Sequence, residues 1–403
     1  MMQILVFNSG SSSLKFQLYT IDHAAVVSVL EGAVRGLGGE ANCEWRYGGQ
    51  QQHRAITARD HAAAARHVLD MLEDQIDPSH SLLNDVTAIG HRIVHGGDLF
   101  TDSVLLTEQA LRKLDAVSAL APLHNPPALA VVDACRARLP LHPQVGVFDT
   151  AYFQELPDYV HRYALPAEWR TSACAMRRYG FHGLAHRSMA ERYFALSGSD
   201  PETSRLITLQ LGHGCSIAAI RAGYPLETSM GFTPLEGLIM ATRPGDLDVG
   251  VVLHLLAQGI PASDLNEALN QRAGLLGLSG VTGDMQQLLA LEAEGHRGAA
   301  LALQAFVHRA RKYLGAYLAV LGGADAIIFG GGIGEHSPEI RARICAGMAW
   351  CGIALDAETN RHAVGKEAKI SASGSSAEIH VLPVNEELLI AQETLRCVQT
   401  ATD

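Results

Sequence analysis

Residues 4–19 read ILVFNSGSSSLKFQLY, and the groups that could do chemistry lie between Asn8 and Lys15. Gly10, Ser11, Ser13 and their neighbours form a Gly/Ser turn between two strand-like runs, which reads as a hairpin. Such a turn aims several backbone N–H groups and hydroxyls at one point, and Lys15 adds a positive charge. It is either a phosphate cradle or an ordinary solvated hairpin. Residues 206–220, LITLQLGHGCSIAAI, repeat the plan around Gly212, His213 and Gly214. Two copies about half the chain apart predict a duplicated domain with a phosphate loop at the start of each half. A third glycine cluster, residues 330–335, follows a strand-like run and precedes a helical pattern from Pro338. A glycine turn there lets a nucleotide approach the backbone closely.

Further motifs concentrate charge. Arg92 and Val94 lie in GHRIVHGG and share one face of an extended strand. A guanidinium beside a small apolar wall suits a short carboxylic acid; the same arginine could equally serve a structural ion pair. His124 stands before Pro126 and Pro127 at a helix start, where anions are favoured, and reads as a supporting residue. Asp149 ends a short strand, where it could hold a metal-bound water, orient an arginine or simply form a turn. His182 in RRYGFHG and Arg243 in TRPGD could surround the oxygens of a transferring phosphoryl group. Glu386 follows IHVLPVN and is either an oxygen ligand for Mg²⁺ or an acid favoured by the helix dipole.

Alternating strands and helices must position these groups. The spacing predicts helices over 60–74 and 107–121, the latter capped by Thr107, and a third opened by Pro126 and Pro127 and running to about Leu139. Strands are expected over 86–95 and 145–149, and a C-terminal helix from Glu387. This is an α/β pattern with mixed sheets. The 403 residues suit two domains, divided near residue 150. Lys plus Arg number 31 against 42 acidic residues, a net charge of −11, so nucleic acid is a poor partner and an anionic substrate needs a local cluster. Seven cysteines without a C-x-x-C pair argue for reduced thiols in a cytoplasmic protein. No signal peptide or membrane span is expected.

Taken together, NSGSSSLK, GHRIVHGG, APLHNPP, FDTAY, RRYGFHG, ETSMGFTPLEGL, TRPGDLD, GGGIGE and NEEL resemble the acetate kinases and related short-chain acyl kinases, along nearly the whole chain. The resemblance implies the duplicated actin-like ATPase (ribonuclease H-like) fold, with two domains, mixed sheets and a cleft between. It places the first domain at 1–150 plus 387–403 and the second, with most of the nucleotide site, at 151–386. It implies reversible phosphoryl transfer from ATP to acetate, with Mg²⁺ or Mn²⁺, in a homodimer. Asn8 and Glu386 resemble the metal-associated pair, and Ser11, Ser13 and Lys15 the first phosphate loop. Arg92 resembles the carboxylate-binding arginine, and Asp149, His182 and Arg243 the catalytic residues. Val94, Leu123, Phe181 and Pro234 match positions lining the acyl pocket. Gln210, Leu211, Gly212, His213 and Gly214, then Asp284, Met285 and Gln286, then Gly332, Ile333, Gly334, Glu335 and His336 match the nucleotide segments.

The departures sit on the nucleotide side. Gln210 and His213 replace a His and an Asn of the family pattern; Met285 and Gln286 replace an aromatic and an arginine; His336 replaces an Asn. Drift in a site built on backbone contacts accounts for them, or else an altered phosphoryl donor. His213 beside phosphates suggests an ATP affinity that changes with pH near neutrality. Propionate or another short acid is the alternative acceptor. An actin-like structural protein would have no need of Arg92 beside Val94, and a sugar kinase would need a general base that an ionised carboxylate does not.

Overall fold

The computed structural model describes residues 2–22, 25–74, 76, 80–171 and 176–402. They form two compact units, Met1–Gln154 with Asn385–Asp403, and Glu155–Val384.

The first unit is built on eight strands: β1 (Met2–Ser9), β2 (Ser13–Asp22), β3 (Ala25–Arg35), β4 (Gly39–Tyr47), β5 (Gln50–Ala58), β6 (Val86–Ile93), β7 (Val104–Leu105) and β8 (Gln144–Phe148). Their order is β5-β4-β3-β2-β1-β6-β8-β7. β1, β6 and β8 run parallel, and the other pairings are antiparallel. β1 carries a buried apolar run over residues 4–7 and every residue of β8 is buried, as expected where both faces are covered. Helices His61–Asp74 and Asn125–Arg138 pack together over the cluster of Leu5, Phe7, Phe16 and Leu69. Helix Glu386–Thr402 packs on β1, β6 and β8. Gly90 permits that approach: a Cβ there would stand 2.3 Å from Thr394 Oγ1 and 2.7 Å from Ile390 Cγ2.

The second unit has six strands: β9 (Arg205–Leu211), β10 (Cys215–Arg221), β11 (Tyr224–Thr228), β12 (Ala326–Gly330), β13 (Ala368–Lys369) and β14 (Glu378–Val381). Their order, β11-β10-β9-β12-β14-β13, repeats β3-β2-β1-β6-β8-β7 strand for strand. The directions match too, down to a two-residue antiparallel edge strand in each sheet. The duplication expected from the two hairpins is therefore present, and β4 and β5 are additions to the first copy. Helix Gly183–Ser197 follows β8 in the chain but packs on β9; helix Glu386–Thr402 follows β14 but packs on β1 and β6. Each unit thus takes the helix that chain order would give to the other. This is the duplicated actin-like ATPase architecture.

Three details differ from the sequence reading. The first unit extends to Gln154, because Ala151 packs against the Phe148 cluster, and it includes Asn385, whose Oδ1 accepts from Leu388 N, and Glu386, which begins the C-terminal helix. The helix expected over 107–121 runs from Glu108 to Val117 and tightens to a 3₁₀ turn at Ser118–Leu120, where the Ser118 hydroxyl donates to Leu114 O; Thr107 does cap it, accepting from Ala110 N. The glycine cluster after β12 is helical over Gly331–His336. Glu335 accepts from Gly331 N at its start, and buried Arg341 donates to the carbonyls of Gly334 and Glu335 at its end. These bonds satisfy one N–H at its start and two carbonyls at its end, which offsets glycine's weak helix propensity.

Candidate active site

In the first unit the candidate side chains sit at the carboxyl ends of neighbouring parallel strands, where ligand crevices form in α/β sheets. Arg92 is next to last in β6, and Asp149 follows β8, held to it by Asp149 N donating to Ile93 O at 3.0 Å. Arg92 Nε donates to Asp149 Oδ1 at 3.0 Å, and Nη2 to Oδ2 at 2.6 Å. Arg92 Nη1 donates to Asn8 Oδ1 at 3.1 Å. Asn8 Nδ2 in turn donates to Glu386 Oε2 at 2.8 Å and Glu387 Oε1 at 3.0 Å. Lys15 Nζ reaches Glu387 Oε1 at 3.2 Å. Burial alone would lower the pKa of Arg92, but the carboxylates of Asp149 and Glu386 raise it. Lys15 behaves likewise, raised by Glu387 and Glu386 against its burial.

The arginine left open between substrate fork and ion pair is thus an ion pair on one edge. Asp149 grips the Nε side, which leaves one N–H on each Nη of Arg92 for an incoming carboxylate. Val94 lies just past β6 and is buried. Leu123 is 52% exposed, in the turn before the Asn125–Arg138 helix. His124 occupies the N-cap position of that helix. Ser11 is exposed at the tip of the β1–β2 turn and Ser13 half-buried at the start of β2.

Arg92 and Lys15 stand against Asp149, Glu386 and Glu387, so the cluster carries one net negative charge. All the uncharged and anionic donors are oxygens, which suits a hard cation. Among the described residues no group of three or more His, Cys, Asp or Glu is arranged to hold a metal. A cation beside Asn8 and Glu386 would therefore take one or two protein ligands and the rest from phosphate and water, the habit of Mg²⁺.

The second unit gathers His182, Arg243 and the β9–β10 turn. His182 has φ +57°, a left-handed conformation unusual for a non-glycine residue, at the N-terminus of helix Gly183–Ser197. Its Nδ1 lies 2.9 Å from Ser216 Oγ. Arg243 Nη1 donates to Pro234 O at 2.9 Å. A Cβ on Gly214 would stand 2.7 Å from Arg243 Nη2 and 3.2 Å from His182 Nε2. Those two groups therefore lie side by side against bare backbone, which only glycine allows. Burial lowers the pKa of Arg243. Phe181 is buried and Pro234 half-buried. Burial, then Arg243, lowers the pKa of His213 from its ordinary value.

Gln210 pairs with Gly330 in the ladder of β9 and β12, and Leu211 is fully buried. Gly332 is exposed, and Ile333 and Glu335 half-buried. Glu335 Oε1 is occupied in bracing Gly331 N and Val384 N. Asp284 caps helix Met285–Ala293, accepting from Gln287 N at 2.9 Å. Met285 is buried in that helix, whereas Gln286 and His336 are exposed.

Sequence reasoning missed several supporting groups. Asn125 clamps the backbone of His95, accepting from its N–H at 3.1 Å and donating to its carbonyl at 2.8 Å. Glu387 is shared by Asn8 and Lys15. His186 and Thr208 stand behind Ser216. The i,i+4 spacing of His182 and His186 was a signal for the last group; nothing local marks the others.

A model of the acetokinase family matches residues 3–392. The chain is 45% identical to the acetate kinase of Solibacter usitatus, over 98% of each chain. It is 42% identical to the acetate kinase of Heliobacterium modesticaldum, over 99% of this chain and all of that one. Among solved structures, Porphyromonas gingivalis acetate kinase superposes with a TM-score of 0.89 at 38% identity, covering 99% of this chain and 100% of that one. A propionate kinase from Francisella tularensis also gives 0.89, at 35% identity, over 98% and 100%.

Proposed function

The chain belongs to the acetokinase family, and from that premise we propose that it moves the γ-phosphoryl group of ATP to acetate, reversibly, giving acetyl phosphate and ADP. It is a phosphotransferase with a carboxyl group as acceptor. The observation that carries the acceptor is Arg92, fixed on one edge by Asp149 and Asn8 with an N–H on each Nη still to offer. Those two N–H groups hold the carboxylate, and Val94 meets the methyl. A carboxylate is ionised at neutral pH and needs no general base, so Asp149 acts by orienting Arg92. One carboxylate oxygen forms the new bond to γ-phosphorus while the bond to the leaving ADP oxygen breaks. His182 Nε2 and Arg243 Nη2 are the donors to the oxygens of the phosphoryl group in flight. Ser11, Ser13, Lys15 and the backbone of Gly212, Gly214 and Gly332–Gly334 bind the phosphates. Asn8 and Glu386 would hold Mg²⁺ or Mn²⁺, which when bound would offset the charge of the phosphates.

Three further points belong to this reading. Val94 is β-branched and stiff, which favours acetate over propionate; the Francisella relative keeps propionate as the second acceptor. Helix Val249–Ala257 buries none of its residues, although Val249 is 69% and Leu253 60% exposed. An apolar helix left uncovered supports a homodimer. Six described cysteines are free, which supports a reducing compartment such as the cytoplasm, and among the described residues no helix is long and apolar enough to cross a membrane. Trapping acyl phosphate with hydroxylamine, across acetate, propionate and butyrate with ATP, GTP, ITP and pyrophosphate, tests acceptor and donor together. Acetyl hydroxamate dependent on ATP is the expected product.

A further inference from the structure

Four side chains of the second unit form one hydrogen-bonded row. Thr208 Oγ1 lies 2.7 Å from His186 Nδ1, His186 Nε2 lies 2.8 Å from Ser216 Oγ, and Ser216 Oγ lies 2.9 Å from His182 Nδ1. Thr208, His186 and Ser216 are fully buried. They stand on three elements, with Thr208 on β9, Ser216 on β10 and both histidines at the start of helix Gly183–Ser197. The row ends at His182, whose Nε2 faces Gly214 and Arg243.

A single hydroxyl between two imidazoles has one proton to give. Among the described residues the Ser216 hydroxyl bonds to no group but these two rings, so it donates to one and accepts from the other. Burial, and then the neighbouring His182, push the pKa of His186 well down, so His186 is neutral and carries one N–H. Only two assignments close the row. In one, Thr208 donates to His186 Nδ1, His186 Nε2–H donates to Ser216, and Ser216 donates to His182 Nδ1. His182 then carries its proton on Nε2. In the other every bond is reversed, and a neutral His182 turns a lone pair toward the phosphoryl oxygens.

We propose that Ser216, backed by His186 and Thr208, is the positioning group that fixes His182 as its Nε2–H tautomer. His182 then donates to the transferring phosphoryl group while remaining neutral beside Arg243. This rests on the reading of His182 as a donor in phosphoryl transfer. The first assignment supplies that donor without a second positive charge against the Arg243 guanidinium, whereas the second would need His182 to be an imidazolium. The row also explains why His182 keeps its left-handed backbone: ring and helix start are held from behind.

The test is the ring-nitrogen spectrum of ¹⁵N-histidine-labelled enzyme at pH 7.5, with His182 assigned by its loss in His182→Asn. The expected spectrum has His182 protonated on Nε2 and bare on Nδ1. Ser216→Ala should abolish that preference and lower kcat about 10- to 100-fold, with KM for acetate and ATP within about 3-fold. Thr208→Val, which keeps the side-chain shape, should weaken the Nε2–H preference and lower kcat; Thr208→Ser should restore both. A His182 that is Nδ1–H or doubly protonated in the unaltered enzyme overturns the proposal. So does Ser216→Ala with unchanged kcat. The spectrum needs no turnover, so it stands even if the unaltered enzyme makes no acyl phosphate, a result that would instead remove the kinase reading.

Discussion

Arg92 makes its strongest contacts to the protein itself, and that determines how its removal should read. Arg92→Ala deletes the two N–H groups proposed to hold the carboxylate and takes the guanidinium away from Asp149, which is fully buried. Loss of a charge-assisted bidentate contact costs roughly 2–4 kcal/mol, or about 30- to 1000-fold in kcat/KM. Asp149→Asn should produce a smaller loss in the same parameter, because it loosens the guanidinium without removing it. Equal kcat/KM for acetate in Arg92→Ala and unaltered enzyme would count against the assignment. Val94→Ala should raise kcat/KM for propionate relative to acetate. One methylene is worth about 1–3 kcal/mol, so the shift should be moderate. An unmoved ratio would take Val94 out of the pocket. His182→Ala and Arg243→Ala should each lower kcat far more than either KM, since both are proposed to donate to charge that develops during transfer. A raised KM at near-normal kcat would make either a binding residue only.

At the scale of elements, two glycines set where machinery can sit. Gly214→Ala would drive a methyl against Arg243 Nη2 and His182 Nε2. It should remove most of the activity and cost little stability, because the clash falls on side-chain ends at the turn. Gly90→Ala meets packed Thr394 and Ile390 instead and should lower the unfolding midpoint, at a cost of about 1–3 kcal/mol. Thermal unfolding and kcat measured on both variants would separate the two effects; the reverse pattern would show that these positions have been misread. The hairpins, Thr107 cap and Pro126–Pro127 helix start were legible because turn residues and periodicity are local signals. The exchange of the Gly183–Ser197 and Glu386–Thr402 helices was not, since it depends on which sheet each apolar face finds. Helix Val249–Ala257 was also hidden, because an apolar run of nine carries no readable period. Arg92 and Asp149 were each singled out from their motifs, but their pairing follows from the register of β6 against β8, which no local spacing encodes.

Across the whole molecule, buried neutral histidines tie stability to pH. Burial holds His91 and His95 at pKa values of about 4. His95 Nδ1 accepts from Gly97 N at 2.9 Å, a bond that a proton there would break. In the unfolded chain both titrate near 6.5, so between about pH 6.5 and 4 unfolding takes up protons and stability falls as pH falls. By pH 5 the loss is roughly 2 kcal/mol for each, fully recovered above pH 7. The unfolding midpoint should therefore drop between pH 7.5 and pH 5, and equal midpoints would show that these rings are protonated in the fold. A dimer through helix Val249–Ala257 should dissociate in Leu253→Glu, read as halved mass in solution; a monomeric unaltered protein would contradict it.

The central claim is that ATP phosphorylates a carboxylate held by Arg92, and one measurement tests it most directly. Hydroxamate formation should be followed with acetate, ATP and Mg²⁺ for the unaltered enzyme and Arg92→Ala side by side. Acetyl hydroxamate should accumulate only with all three components, with kcat/KM for acetate at least about 30-fold lower in the variant. No hydroxamate from acetate or propionate with any nucleotide, or equal rates in the two proteins, would contradict it.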